Sequence, residues 1–255
     1  MQATIETKKG LSKGALQIIA VIAMLIDHCA IFFQNTVYYY IMKFVGKIAI
    51  VIMAYFVAEG YYKTENIGRY ILRLGIFAAI SQIPYYLYKY GGAVPDSFRY
   101  LVKLMFYNRN VIFTLFVSLC LLTVLKSSYS IILKILAFAA AAYLVRCSDW
   151  GYTALLWIIG FGVFHGSVKR QNIWLCLVLA LSLCRYLPAA IQSVIDVKAL
   201  TYGALYCITK LGALMAIPLL MAYNGEKGSV PKWSLYVFYP LHLLILSGLY
   251  VAFIK

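Results

Sequence analysis

Apolar runs of roughly 20 residues recur from one end of the chain to the other, each closed by a short polar or glycine-containing break. A helix of about 20 apolar residues spans the hydrocarbon core of a bilayer, so the pattern predicts an all-α bundle of about nine transmembrane helices. The predicted helices are 14–34, 41–62, 68–90, 110–126, 130–146, 150–166, 172–187, 199–223 and 233–254.

The breaks between these runs hold turn-forming residues, as at Gly91-Gly92, Pro95-Asp96 and Asn224-Gly225. No long polar stretch, low-complexity tract or internal repeat separates one part of the sequence from another. We therefore expect residues 1–255 to form a single transmembrane domain.

The composition excludes a soluble globular protein. Of the 255 residues, 64% are hydrophobic and only 12% are charged, whereas a soluble domain is about 25% charged. The first apolar run follows three lysines, as in a secretory signal peptide, but it contains Asp27 and His28 and lacks a small-residue cleavage pattern. We expect this run to be retained as the first span.

The net charge of +15 raises the question of what the basic residues bind. They flank apolar spans and form no continuous basic segment, so lipid head groups or an anionic ligand fit them better than nucleic acid. An N-terminus inside the cell gives a mild excess of Lys and Arg on the cytoplasmic side. The six cysteines are scattered without a Cys-x-x-Cys pair, so we expect no metal site.

Asp27 and His28 stand side by side well inside the first predicted helix. An ionised Asp at the centre of a membrane helix costs about 2.5–3.5 kcal/mol. Such a residue therefore indicates either a hydrogen bond between helices or a functional site. Neighbouring residues on a helix point about 100° apart, so one of the two could orient a partner while the other faces a cavity.

A second charged cluster lies at the start of the third predicted helix. Arg69 and Arg73 are four residues apart and share one helical face, where like charges repel unless an anion or a carboxylate lies between them. Their guanidinium groups suit a phosphate ligand. Anchoring at the membrane surface, with pairing to Glu59 and Glu65, explains the same residues equally well.

Further polar residues fall inside predicted helices. The segment Ser81-Gln-Ile-Pro84 predicts a kink in the third helix. Asn110 and Thr114 share one face at the start of the fourth helix, where they would also suit ordinary interhelical hydrogen bonds. His242 lies well inside the last helix and requires a polar partner or a cavity there. Lys210 falls within a span and has no explanation from the sequence.

The sequence contains no motif for several other chemistries: no phosphate-binding Walker loop, no Gly-x-Ser-x-Gly and no His-Glu-x-x-His. Membrane-embedded charges also form proton relays in transporters. A proton-coupled small-molecule transporter is therefore the alternative to a membrane enzyme, and a purely structural membrane protein is a third possibility.

At these residues the sequence resembles the TraX family, membrane proteins associated with N-terminal acetylation of conjugative pilin. The matching pieces keep their order over most of the chain and are Leu11 to His28, Gly46 to Ala49, Ala58 to Gly60, Gly68 to Leu74, Ser81 to Pro84, Asn110 to Thr114, Tyr223 to Gly228 and Tyr236 to Leu244. The middle, about 125–200, matches only loosely. Lys47 departs from the family's Gly-Arg-x-Ala element, where we expect Arg.

The resemblance extends to the wider membrane acyltransferase-three-like group and implies an acetyl-CoA-dependent acetyltransferase in the bacterial cytoplasmic (inner) membrane, with multiple spans. It implies that His28 is the general base and that Arg69 and Arg73 hold the phosphates of coenzyme A, with Lys63 and Lys47 as further basic contacts. The acceptor would be an amine, such as a protein or pilin N-terminus or an amino sugar, or a hydroxyl.

Two further roles follow from that mechanism. Asp27 or Glu59 would orient the catalytic imidazole and stabilise its charged form. A side-chain donor, Asn110, Thr114 or Gln82, would bond the developing oxyanion. The expected partners are acetyl-CoA, the acceptor and membrane lipid, with no metal and no nucleic acid.

Overall fold

A computed structural model describes residues 9–93, 106–184, 202–231 and 233–254, together with positions 97, 99, 102 and 188. Over these residues the regular structure is helical, with no strand. The helices are α1 (Lys13–Cys29), α2 (Val37–Lys63), α3 (Ile67–Ile80), α4 (Gln82–Lys89), α5 (Val111–Lys126), α6 (Ile131–Val145), α7 (Gly151–Val163), α8 (Val168–Cys184), α9 (Tyr202–Leu211), α10 (Ala216–Met221) and α11 (Ser234–Ile254). Short 3-10 helices extend α1 over Ala30–Phe33 and join α9 to α10 over Gly212–Met215.

The described helices fall into nine segments when α3 with α4, and α9 with α10, are each counted as one. This confirms the predicted all-α bundle. The second helix begins at Val37, four residues before the predicted start at residue 41. Asn35 has a positive φ of 64° and forms the turn ahead of it. The end of the predicted helix 172–187 and the first residues of 199–223 lie outside the described residues.

Among the described residues, three helical stretches are long and apolar enough to cross a membrane: Lys13–Phe33, Val37–Lys63 and Ser234–Ile254. The outer surface of the bundle is also apolar. On α6, for example, Ile131 and Ile132 are 70% and 68% exposed. Exposure of so many large apolar side chains is favourable in contact with lipid and unfavourable in contact with water. The protein is therefore an all-α membrane bundle.

The helix α2 lies at the centre of the bundle and packs against α1, α7, α9 and the Gly212–Met215 turn. On another side of α1 lies α11, which also packs against α4. This arrangement places α1 between α2 and α11, so polar side chains that α1 buries can meet partners from both ends of the sequence.

The predicted kink in the third helical segment is confirmed at Ser81, which ends α3 and precedes α4. Pro84 explains it, because proline has no N–H to donate to the carbonyl one turn earlier and its ring crowds that carbonyl. The break moves the axis of α4 toward α11, with which α4 packs.

The N-terminus of α1 is closed by the segment 222–228. Helix N–H groups of the first turn have no partner within the helix, and here Lys13 and Gly14 donate to the carbonyls of Glu226 and Lys227 at 2.7 and 3.1 Å. Gly228 adopts φ 72°, and an added Cβ would press against the backbone of Gly14. The segment is therefore held firmly at the end of α1.

Gly212 provides a test of the packing around α2. An added Cβ would overlap the backbone of Phe44 on α2, so we expect Gly212→Ala to destabilise the protein by about 1–3 kcal/mol. Gly248 on α11 is the matched control, because an added Cβ there meets nothing within 4 Å, and Ala is favoured over Gly within a helix by about 0.5–1 kcal/mol. Thermal melts in detergent should show a lower unfolding midpoint for Gly212→Ala and an unchanged or higher one for Gly248→Ala. Equal midpoints for both variants would contradict this packing.

Candidate functional site

A cavity of about 840 Å³ runs through the bundle beside α1. Its wall includes Lys13 at the start of α1 and His28 in the last turn of the same helix. These two residues are 15 positions apart, which corresponds to about 22 Å along a helix at 1.5 Å per residue. The cavity is therefore a long channel with chemically different ends, called here the basic end, at Lys13, and the inner end, at His28.

The basic end collects cations from separate parts of the sequence. It is lined by Lys13, Lys63, Arg69, Arg73 and Lys227, with Glu65 as an acidic neighbour. The end of α2, the start of α3 and the segment 222–228 bring these residues together. Lys63 bridges two of these elements, since its Nζ donates to the carbonyl of Gly225 at 3.1 Å and to the Tyr223 hydroxyl at 3.2 Å.

Arg69 and Arg73 lie on the same cavity wall, as their spacing predicts. Arg69 sits in the first turn of α3, where the Asn66 side chain accepts from its backbone N–H at 2.9 Å. Arg73 is one turn deeper, and its guanidinium lies over the rings of three aromatic residues at 5.2–5.6 Å: Tyr70, Trp233 and Tyr236. The rings hold the side chain in place, while its buried Nε has no hydrogen-bond partner in the part of the chain that the structure describes.

The inner end contains a pair of histidines. The Nδ1 of His28 lies 2.8 Å from the carbonyl of Met24 and 3.3 Å from the Nε2 of His242. The Nδ1 of His242 lies 2.8 Å from the carbonyl of Phe238, and the ring stacks on that of Phe238 at 4.5 Å. His242 is 4% exposed. The polar partner that the sequence requires for His242 is therefore His28.

The neighbours of the two rings define their tautomers. A carbonyl can only accept, so each Nδ1 carries a hydrogen, and the Nε2 of His242 accepts from the Nδ1–H of His28. The Nε2 of His28 then keeps its lone pair and is available as a base. A proton taken up there would strengthen both bonds at Nδ1, because hydrogen bonds from a charged donor are stronger.

Asp27 also lines the inner end, but its carboxylate is held by two lysines of α2. Its oxygens accept from the Nζ atoms of Lys43 and Lys47 at 2.8 and 2.9 Å. The close approach of α1 to α2 at Gly46 makes this possible, since a side chain there would overlap Asp27. Asp27 thus forms a three-residue ion cluster, and the position beside the His28 ring is taken by His242.

Glu59 and Lys47, two further residues proposed from the sequence, are engaged with protein groups behind the cavity wall. Glu59 is 4% exposed and pairs through one oxygen with Lys63 at 2.8 Å. Lys47 lies against the Trp150 ring at 5.2 Å in addition to its bond with Asp27. Neither side chain lines the cavity, whereas Lys63 does.

The proposed oxyanion donors make structural hydrogen bonds. Asn110 caps α5 by accepting from the Phe113 N–H at 3.1 Å, and its amide donates to the Ala78 carbonyl and to Gln82. The Gln82 amide donates in turn to the backbone carbonyl of Asn108. Thr114 donates to the Asp149 carbonyl at 2.9 Å. These bonds tie α3, α4 and α5 together around the inner end.

Sequence reasoning missed three residues of the inner end: His242 as a partner of His28, and Tyr239 and Asp149 on the cavity wall. Tyr239 and His242 are three residues apart, a spacing that places them on one helical face, so the pattern held a signal for them. Asp149 lies in a connection before α7, for which the apolar pattern gives no signal.

Lys210 acquires an explanation that the sequence lacked. Its Nζ lies over the rings of Trp150 and Tyr206 at 4.5 and 5.0 Å, a favourable position for a cation on aromatic faces. Across the described residues, no three side chains of His, Cys, Asp and Glu come together as metal ligands would.

Comparison with known proteins identifies the family. A profile of the TraX family, described as TraX protein, matches residues 12–250. The probable fimbrial assembly protein FimC, serogroup H1, of Dichelobacter nodosus is 28% identical over 241 residues, which are 91% of this chain and 93% of that relative. No solved structure matches the chain. The profile covers nearly the whole sequence, and the chain belongs to the TraX family.

Proposed function

We propose that this protein is a multi-pass acetyltransferase of the bacterial cytoplasmic membrane. It transfers an acetyl group from acetyl-CoA to an acceptor amine or hydroxyl, with His28 as the general base. The observation that carries the proposal is the single cavity that joins a cluster of five Lys and Arg side chains at one end to His28 at the other. Coenzyme A has the same polarity, with phosphates at one end and the thioester at the other.

The basic end suits the phosphates. Arg69, Arg73 and Lys227 supply charge, and the N-terminus of α3 adds the partial positive charge that a helix start offers to an anion. The buried Nε of Arg73 has no partner among the described residues, and a phosphate oxygen would provide one. The predicted orientation places this end at the cytoplasm, where acetyl-CoA is available.

The length of the cavity suits the rest of the donor. Between the two ends the wall is mainly apolar, with Met24, Ala49, Ile50, Met53 and Leu74 among its residues. About 22 Å of helix separates Lys13 from His28, so the cavity has room for an elongated ligand such as the pantetheine arm of coenzyme A. A ligand of this shape would place its thioester at the inner end and its phosphates at the basic end.

The histidine pair supplies the acid–base chemistry. The Nε2 of His28 removes a proton from the acceptor as its nitrogen or oxygen attacks the thioester carbon. The bonds from Nδ1 to Met24 and His242 stabilise the imidazolium that forms. His28 then returns the proton to the sulfur of the departing coenzyme A, and the enzyme is restored.

The inner end favours an amine as the acceptor. Asp149 lines it with a carboxylate, while the other acidic group there, Asp27, is neutralised by Lys43 and Lys47. A carboxylate attracts an acceptor that arrives as an ammonium ion. Asp149 would take one proton from this ion and release it to water, so that the nitrogen attacks as a neutral amine. The relative from Dichelobacter nodosus is named as a probable fimbrial assembly protein, so a pilin N-terminus is the acceptor that we propose, with an amino sugar as the second choice.

A thermal shift assay tests the proposal against the alternative of a transporter, for which the buried ion cluster of Asp27, Lys43 and Lys47 is the supporting observation. Acetyl-CoA at 100 times its dissociation constant should stabilise an acetyltransferase by about 2.7 kcal/mol. A transporter of unrelated solutes would melt at the same temperature with and without acetyl-CoA. An unchanged midpoint at millimolar acetyl-CoA would contradict the proposed function.

Arg73→Lys should weaken acetyl-CoA binding by about tenfold or more. An ammonium offers a point charge in place of a planar fork of donors, and a hydrogen bond to a charged group contributes about 1.5–3 kcal/mol, where 1.4 kcal/mol corresponds to a factor of ten. Calorimetry at fixed salt measures the affinity. Arg69→Lys should do less, because Arg69 is exposed at the surface.

Arg170→Lys is the matched control for these variants. Arg170 is an exposed arginine of α8 whose Nε donates to Ser167 at 3.2 Å, away from the cavity wall. Its replacement should leave the affinity unchanged. Normal affinity in the double variant Arg69→Ala/Arg73→Ala would place coenzyme A elsewhere and leave both arginines as membrane anchors.

A further inference from the structure

Buried polar atoms without partners are informative in this protein, because each carries a desolvation penalty unless a ligand relieves it. In the part of the chain that the structure describes, five such side-chain atoms occur, in Glu59, Arg73, Ser81, Ser148 and Tyr239. Only two of these residues line the cavity, Arg73 at the basic end and Tyr239 at the inner end. Arg73 fits the phosphates, which leaves Tyr239 to be explained.

Tyr239 is placed among the reacting groups by α11. The residue is 3% exposed, and its ring centroid lies 5.7 Å from that of His242. The ring of His242 in turn lies 4.9 Å from that of His28. A tyrosine hydroxyl is protonated at neutral pH and can donate one hydrogen bond, and here that hydrogen has no acceptor.

The start of α5 lies against the same hydroxyl. The backbone of Val111 lies close to the Tyr239 hydroxyl but outside hydrogen-bond geometry, and Val111 and Ile112 both line the cavity. A backbone N–H can donate only to the oxygen of the hydroxyl. The hydroxyl hydrogen therefore remains without an acceptor among the described residues. Asn110 accepts from the Phe113 N–H in the first turn of this 16-residue helix, which leaves the N–H groups of Val111 and Ile112 without a partner inside the helix. The helix start also adds the positive end of the helix dipole.

We infer that the Tyr239 hydroxyl, together with the N-terminus of α5, forms the oxyanion site that binds the carbonyl oxygen of the acetyl thioester. This inference rests on the proposed acetyltransferase function and adds a catalytic residue to it. Asn110, Thr114 and Gln82 are less suited to this role, because their donors already bond protein atoms.

The step balances without any further reactant. As the acceptor nitrogen forms its bond to the thioester carbon, the carbonyl oxygen gains negative charge and accepts from Tyr239, and His28 takes the proton lost by the nitrogen. When the carbonyl forms again, the carbon–sulfur bond breaks and the sulfur receives the proton from His28. The Tyr239 hydrogen bond is stronger while the oxygen is charged, which is the condition for catalysis.

Tyr239→Phe removes only the unpartnered oxygen, and this makes a sharp test. Loss of one oxyanion donor lowers the turnover number by about 10²–10³-fold, while KM for acetyl-CoA should rise by a much smaller factor, because the bond to the uncharged carbonyl is weaker. The melting temperature should stay equal or rise, because the variant no longer buries an unsatisfied hydroxyl. A lower melting temperature together with normal turnover would assign Tyr239 to structure and overturn the inference.

A binding measurement that needs no acceptor completes the test. S-ethyl coenzyme A is a thioether that keeps the shape of acetyl-CoA and lacks its carbonyl. The parent protein should bind acetyl-CoA more tightly than the thioether, and this preference should be smaller in Tyr239→Phe. An undiminished preference for acetyl-CoA in Tyr239→Phe would place the carbonyl elsewhere.

Tyr85→Phe is the matched control. Tyr85 is another buried tyrosine, 6% exposed, whose hydroxyl accepts from Lys89 at 3.5 Å and which does not line the cavity. It should keep normal turnover and the normal preference for acetyl-CoA. If the parent protein binds neither compound, the proposed function itself fails. If the parent binds both and transfers acetyl groups while Tyr239→Phe behaves like the parent, the oxyanion inference alone fails.

Discussion

His28→Ala is expected to lower the turnover number for acetyl transfer by about 10²–10⁴-fold, the usual contribution of a general base. Acetyl-CoA affinity should change little, because the cations that bind its phosphates lie at the basic end of the cavity and His28 lies at the inner end. The assay follows release of the coenzyme A thiol from acetyl-CoA, with a short peptide that has a free N-terminal amine as the acceptor. Calorimetry on the same preparation reports the affinity.

His165→Ala is the control for this variant. His165 stacks on Tyr62 with ring centroids 3.9 Å apart, outside the cavity wall, so its loss should leave both turnover and affinity unchanged. Near-normal turnover in a folded His28→Ala protein would remove His28 from the mechanism. Lost affinity with an unchanged melting temperature would show that His28 binds the donor instead of activating the acceptor.

Asp27→Ala is expected to destabilise the protein by about 3–5 kcal/mol, the range observed when one partner of a buried ion pair is removed. The side chain of Lys47 is only 10% exposed and that of Lys43 only 20%. Without the carboxylate, both ammonium groups would remain in the bundle without a countercharge. Thermal unfolding in detergent at fixed pH measures the loss.

Removal of the two lysines as well should restore much of this stability. The triple variant Asp27→Ala/Lys43→Met/Lys47→Met replaces an ion cluster with apolar side chains, a change that is often neutral or stabilising. Glu65→Ala, at an exposed carboxylate, should remain close to the parent. If Asp27→Ala melts normally but loses acetyl transfer, Asp27 acts in catalysis and the cluster is not structural.

The parts of the fold that follow from local pattern were predictable from the sequence. Runs of apolar residues predicted the helical segments, and Pro84 predicted the break at Ser81, because both depend on the chemistry of a few neighbouring residues. The start of α2 was misplaced because a tyrosine run suits either a membrane interface or a helix. Asn35, with its positive φ, marks the turn in the structure.

The candidate site was only partly predictable, because it depends on contacts between distant elements. The four-residue spacing of Arg69 and Arg73 was sufficient to place them on one wall. The bond between His28 and His242 joins positions 214 residues apart and requires α11 to pack beside α1. Asp27 was assigned to catalysis in the absence of any sign that Lys43 and Lys47 would surround it. Two lysines four residues apart on one face of an apolar helix do imply a countercharge, and that signal was available.

The most direct test of the central claim is a structure of the protein bound to S-ethyl coenzyme A. The account predicts that the pyrophosphate lies within hydrogen-bond distance of Arg69 and Arg73, and that the sulfur lies at the inner end between Tyr239 and the Nε2 of His28. A complex in which the ligand occupies a different surface, or enters the cavity with its phosphates at His28, would contradict the account.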